Sequence, residues 1–130
     1  MATLTLHDRT ATGKPVSTFD LPNVPDRITL RDLIRLRVRE EVAAHNLKPG
    51  PWFTGLVQPL DTTQEERGFR FTKRRRLDWE AQADVAIDSF QRNGFFVMVN
   101  GRQVLDLDAE LELNDTLDVG FVKLRQLVGG

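Results

Sequence analysis

Phe95-Phe96-Val97-Met98-Val99-Asn100-Gly101-Arg102-Gln103-Val104-Leu105 is a run of five apolar residues, a two-residue turn and a returning segment. Asn and Gly tolerate positive φ better than other residues, and side by side between apolar stretches they mark a two-residue hairpin. The stretch therefore reads as two antiparallel strands. Downstream, Leu111 and Leu113 form a further short apolar segment, and a polar turn at Asn114-Asp115 precedes a last strand through Leu117, Val119, Phe121 and Val122. Upstream, Trp79, Ala83, Ala86, Ile87 and Phe90 recur at helical spacing behind Asp78, an acceptable N-cap, and Gly94 is placed to stop that helix.

The N-terminal half has the same clarity in two places. Ala2 to His7 alternates Leu4 and Leu6 with polar residues, the period of a half-buried strand. Asp8 to Lys14 reads as a turn, and Val16, Phe19 and Leu21 as a second strand that Pro22 and Pro25 should stop. Thr29 then offers an N-cap with Asp32 three residues on. Behind it, Leu30, Leu33, Ile34, Val38 and Val42 share one helical face, and Arg31, Arg35, Arg39 and Glu40 the opposite one, as far as about His45. Residues 47–77 carry Pro49-Gly50-Pro51, a short apolar island at Trp52, Phe53, Leu56 and Val57, and a crowd of charges, and no regular element is legible there.

The order is hairpin, helix, a stretch with a second helix, hairpin, last strand. That order implies an α+β layer, a mixed sheet on one main helix, with the strand entering the crossover and the last strand parallel at the centre. This is the β-grasp arrangement. Residues 1–130 read as a single domain, with 47–94 an insertion and 125–130 a flexible C-terminal tail.

Composition bounds the function. The 130 residues suit one domain, and 40% hydrophobic with 28% charged residues describes a chain that folds. Eighteen basic against nineteen acidic residues leave a net charge of −1, which argues against nucleic acid or an anionic membrane as the main partner. There is no cysteine, and only His7 and His45 represent histidine, so thiolate and histidine metal sites are not expected. No stretch approaches the ~18 apolar residues of a membrane span and no signal-peptide core is seen, so a cytoplasmic monomer is expected.

Three local features have ordinary readings. Lys73-Arg74-Arg75-Arg76 is flanked by Glu65, Glu66, Asp78 and Glu80 and reads as a solvated, locally paired charge run. Asp106, Asp108 and Glu110 alternate, but no glycine-bent loop accompanies them, and no cation site is expected. Trp52, Phe53, Phe69, Phe71 and Trp79 are compatible with a satellite core or with an exposed docking patch, for which Trp52 and Phe53 are the candidates.

The segments Val99 to Leu105, Leu111 to Leu113 and Thr116-Leu117-Asp118-Val119, with a basic-apolar tail ending Gly129-Gly130, resemble the C-terminal half of ubiquitin. The N-terminal hairpin and first helix match in order and approximate spacing, so the resemblance covers about residues 2–46 and 95–130. The prokaryotic sulfur carriers of molybdopterin and thiamine synthesis are also similar, Val-Asn-Gly before a strand being at least as much theirs.

The resemblance implies a protein modifier with no catalytic residues and no bound cofactor. An adenylating (E1-like) enzyme using ATP and magnesium would activate Gly130, with Gly129 easing passage of the tail. Arg125, Gln126, Leu127 and Val128 would be read by that enzyme. Ubiquitin has arginine where Gln126 and Val128 stand, which implies a dedicated activating enzyme. An E2-like conjugating enzyme, a deconjugating protease and target proteins complete the implied partners, and Lys14, Lys48, Lys73, Lys123 and the N-terminal amine are the candidate acceptors for chains. The setting implied is bacterial, with antiviral defence as one role. The alternatives are a sulfur carrier bearing a C-terminal thiocarboxylate and a β-grasp interaction module that is never conjugated.

Overall fold

A computed structural model describes residues 2–12, 14–48, 50–60, 62–65, 68–71, 76–114 and 117–124 of the chain. Its elements are β1 (Ala2–Arg9), β2 (Pro15–Val24), β3 (Arg27–Thr29), α1 (Leu30–Leu47), β4 (Trp52–Phe53), β5 (Thr62–Glu65), β6 (Gly68–Phe71), α2 (Trp79–Gln91), β7 (Phe95–Val99), β8 (Arg102–Val104), β9 (Glu110–Glu112) and β10 (Val119–Lys123). They fall into two compact units, Met1–Leu33 with Ser89–Gly130, and Ile34–Asp88. The second unit overlaps the stretch read as an insertion and begins earlier, inside α1.

The first unit holds a five-stranded mixed sheet in the order β2-β1-β10-β7-β8. The fold is α+β, and the strand order is that of a β-grasp. β1 and β10 are parallel, with Leu6 opposite Val119 and Asp8 opposite Phe121. The parallel partner of the last strand is thus the first strand of the chain, not the one that enters the crossover. The reason is the antiparallel β1–β2 hairpin, which among the described strands leaves β2 with β1 as its one neighbour and makes it an edge. Leu4, Leu6, Val97, Val119 and Phe121 on the inner face are buried, and the Phe95 ring lies 6.0 Å from that of Phe121. Each such side chain contributes about 1.5–3 kcal/mol on leaving water.

Local chemistry explains most boundaries. Asn100 and Gly101 have φ of 51° and 80°, so the expected hairpin turn forms with both central residues left-handed. The Thr29 hydroxyl accepts the Asp32 N–H at 3.1 Å, and the Asp78 carboxylate accepts the Glu80 N–H at 3.1 Å, so both expected N-caps are in place. All five residues of the expected α1 face, Leu30, Leu33, Ile34, Val38 and Val42, are at most 2% exposed.

Several expectations need correcting. β1 runs on to Arg9, taking Asp8 out of the turn. β2 passes through Pro22 to Val24, because Pro22 lacks a donor that an edge strand need not use, and the ladder shifts register between Ala2 and Leu4, with Asn23 at φ 57°. Leu111 sits in β9, which pairs with β3 in a separate two-stranded sheet and not with the main one. After α2 the left-handed position is taken by Asn93, at φ 61°, and not by Gly94.

The second unit contains a three-stranded sheet, β4-β6-β5, where sequence showed no regular element. Phe53, Leu56, Val57, Phe71 and Leu77 are buried there. Asn46 on α1 fixes Leu77 from both sides, its amide donating to the Leu77 carbonyl at 2.9 Å and its oxygen accepting the Leu77 N–H at 3.0 Å.

Candidate functional site

The residues expected to be activated and recognised, Arg125, Gln126, Leu127, Val128, Gly129 and Gly130, lie outside the described residues, as does Lys73. What is described is the strand that leads to them. β10 lies at the centre of the sheet, parallel to β1 on one side and antiparallel to β7 on the other, with Val119 opposite Val99 and Lys123 opposite Phe95. One residue beyond the strand, the Leu124 N–H donates to the Gly94 carbonyl at 3.4 Å. Residue 124 is therefore held in register, and whatever follows starts from a fixed point.

Both ends of β10 are fastened by side chains. At its start, the Asn100 N–H donates to the Asp118 carbonyl and the Asn100 side-chain oxygen accepts the Asp118 N–H, each at 2.8 Å. The Asp118 carboxylate lies 3.8 Å from His7 Nε2 and 3.9 Å from an Arg9 guanidinium nitrogen. At its far end, the Lys123 ammonium lies 4.0 Å from the buried carboxylate of Asp8, which also accepts the Ser17 hydroxyl at 3.4 Å. That carboxylate is on the inner face, opposite Phe121, and the ammonium and hydroxyl stand in for the water it has lost.

The outer face of the same strands carries the alternate residues. His7 lies opposite Gly120, Arg9 opposite Val122, Val122 opposite Phe96, and Gly120 opposite Met98. Phe96, Met98 and Val122 are half-buried, giving a strip of apolar surface beside the root of the tail, with His7 and Arg9 on its flank.

Of the candidate acceptors, Lys14 and Lys48 are exposed, and Lys123 is half-buried beside Asp8. Trp52 is half-buried with the Arg70 guanidinium 5.7 Å from its ring centre, whereas Phe53 is 2% exposed and meets the His45 ring edge-on at 5.5 Å. His45 is in the last turn of α1 as expected, and Phe71 flanks it at 5.2 Å. The basic stripe on α1 is committed locally. Arg31 reaches Asp108 at 3.4 Å, Arg35 reaches Asp84 at 3.7 Å, and Arg35 and Arg39 lie 5.4 and 5.6 Å from the Trp79 ring centre.

Sequence reasoning missed one polar pair. Arg37 and Glu41 are 1% and 7% exposed, 3.5 Å apart on successive turns of α1, and the Glu41 carboxylate also accepts the Leu56 N–H at 3.3 Å. Their i, i+4 spacing was a signal, but both fall among charges that read as solvent-facing. Among the described residues no group of three or more His, Asp or Glu is arranged to hold a metal ion, and no helix is long and apolar enough to cross a membrane. No protein-family model, curated protein or solved structure significantly matches the chain.

Proposed function

We propose that the chain is a ubiquitin-like protein modifier, activated at Gly130 and joined to amines of target proteins. The observation that carries this reading is the position of β10, central in a β-grasp sheet and leading through Leu124 directly into Arg125-Gln126-Leu127-Val128-Gly129-Gly130. A segment rooted between two ladders can be drawn into an enzyme's channel without unpicking the sheet. Two residues without Cβ pass where side chains would clash.

The chemistry asked of the chain is that of a carried carboxylate. Its oxygen attacks the α-phosphorus of ATP, diphosphate leaves, and an acyl-adenylate forms on the E1-like enzyme. A thiolate of that enzyme displaces AMP, and a lysine amine then displaces the thiol to leave an isopeptide bond. The chain is substrate and carrier throughout. Gln126 and Val128, where ubiquitin has arginines, favour an activating enzyme of its own.

The test is expression of the N-terminally tagged chain in its native host, read by denaturing gel and mass spectrometry. The expected result is a series of heavier species with Gly130 in isopeptide linkage, abolished by deleting Gly129 and Gly130. A single species in which one sulfur replaces one oxygen at Gly130 would instead make it a sulfur carrier. An unmodified carboxylate in the presence of the adenylating enzyme would overturn both and leave a non-conjugated interaction module.

A further inference from the structure

Strand β8 ends before its partner does. Its ladder with β7 joins Val99 to Arg102, Met98 to Gln103 and Val97 to Val104, so Phe95 and Phe96 are paired only on the β10 side. Where β8 would continue, the chain bends away at Leu105, which is 75% exposed. A turn follows in which the Asp106 carboxylate accepts the Asp108 N–H at 2.9 Å. The turn then passes to the start of α1, where the Ala109 and Leu107 carbonyls accept the Leu30 and Arg31 N–H groups at 2.9 Å. The helix N-terminus is thereby closed, and a cleft of about 370 Å³ opens beside Phe96, Gln103 and Leu105.

Two properties define what the cleft accepts. An open strand edge beside an apolar wall takes an extended chain, whose main-chain groups continue the ladder. The rim carries Asp106 and Asp108 against one cation, Arg31, which is already paired with Asp108 at 3.4 Å, so the rim favours a basic residue. An extended peptide places residues i and i+2 on the same face, so the fitting sequence has a basic residue and an aliphatic one two apart.

We propose that the occupant is the segment 124–130 of a second copy of this chain, with Leu127 against Phe96 and Leu105 and the Arg125 guanidinium toward Asp106 and Asp108. The same chain's own segment starts from the opposite edge of β7, where Lys123 pairs with Phe95 and Leu124 is bonded to Gly94. A second copy reaches the β8 edge without that reversal. The contact is non-covalent and does not require Gly130 ever to be activated.

The test uses the full-length ¹⁵N-labelled chain, its amide shifts followed from about 20 μM to about 1 mM, the range in which short strand-addition contacts are read. The amides of Phe96, Gln103, Leu105 and Asp106 should move with concentration while those of β2 stay fixed. Adding the synthetic peptide Leu-Arg-Gln-Leu-Val-Gly-Gly to the dilute chain should reproduce the same shifts. Arg125→Glu and Leu105→Asn should each weaken the effect about tenfold or more, and Arg125→Lys should retain most of it. Leu105 is 75% exposed, and unchanged dispersion elsewhere in the spectrum checks the fold. Shifts independent of concentration, shifts confined to another surface, or an Arg125→Glu chain that behaves as the parent would overturn the proposal.

Discussion

Asn100 and Asp118 bind each other twice, donor to acceptor in both directions at 2.8 Å, and so fasten the β7–β8 turn to the start of the strand that carries the tail. Asn100 serves two purposes there, because its backbone also sits at φ 51°. The two can be separated. Asn100→Gly keeps the left-handed backbone and loses the side-chain acceptor, costing about 1 kcal/mol. Asn100→Ala loses the acceptor and adds the left-handed penalty of about 1–2 kcal/mol. Urea unfolding should rank the variants parent, Gly, Ala. Equal losses for Gly and Ala would show that the backbone conformation contributes nothing.

What the sequence revealed and what it hid divide by range. The 95–105 hairpin, the two N-caps and the apolar face of α1 are local patterns, settled by neighbours within four residues. β3 and β4 are three and two residues long, and each exists because of a distant partner, Ile28 opposite Leu111 and Phe53 opposite Phe69. No periodicity can appear in so few residues. Pro22 reads as a stop because a missing donor matters in a central strand, and only the sheet order reveals that β2 is an edge. For the site, Gly129-Gly130 was legible as a motif, whereas the central position of β10 follows from pairings between the first strand and the last, and these no local reading contains.

Arg37 and Glu41 are the clearest case of charge in an unexpected place. Removing one member takes from the other the opposite charge that faces it at 3.5 Å in a buried site, so Glu41→Leu alone should cost about 3–5 kcal/mol. It also deprives the Leu56 N–H of its acceptor. The double change Arg37→Met/Glu41→Leu removes both charges and should recover most of that loss. Thermal unfolding of the two single variants and the double variant measures the coupling. Simple additivity of the single losses would refute the pairing.

Gly94 is required by contact and not by backbone angle. A Cβ built there would overlap the Ser89 hydroxyl and lie 3.1 Å from the Ser89 carbonyl. The Gly94 N–H donates to that carbonyl at 2.7 Å, and its own carbonyl holds Leu124. Gly94→Ala should therefore destabilise by about 1–3 kcal/mol, the usual range for overpacking. Ser89→Ala removes the worst overlap and should restore part of the loss in the double variant. Hydrogen exchange at the Leu124 amide should quicken in Gly94→Ala and slow again in the double variant, linking this glycine to the root of the tail.

The acceptor lysines can be ranked by what surrounds them. An isopeptide bond needs an amine that can give up its proton and approach an enzyme-bound carbonyl. Lys123 lies 4.0 Å from the buried Asp8 carboxylate, which favours its charged form, whereas Lys14 and Lys48 are exposed. On the proposed function, chains linked through the described lysines should use Lys14 or Lys48 in preference to Lys123, seen as a Gln-Leu-Val-Gly-Gly remnant on those residues after tryptic cleavage at Arg125 and mass spectrometry. Lys123→Arg should leave the pattern unchanged, and Lys14→Arg/Lys48→Arg should abolish the linkages at those two positions, leaving conjugation to other proteins intact. Asp8→Asn removes the charge that holds Lys123 and should make that lysine a measurable acceptor. Linkage through Lys123 in the parent chain would mean that the Asp8 contact does not govern the reactivity of that amine.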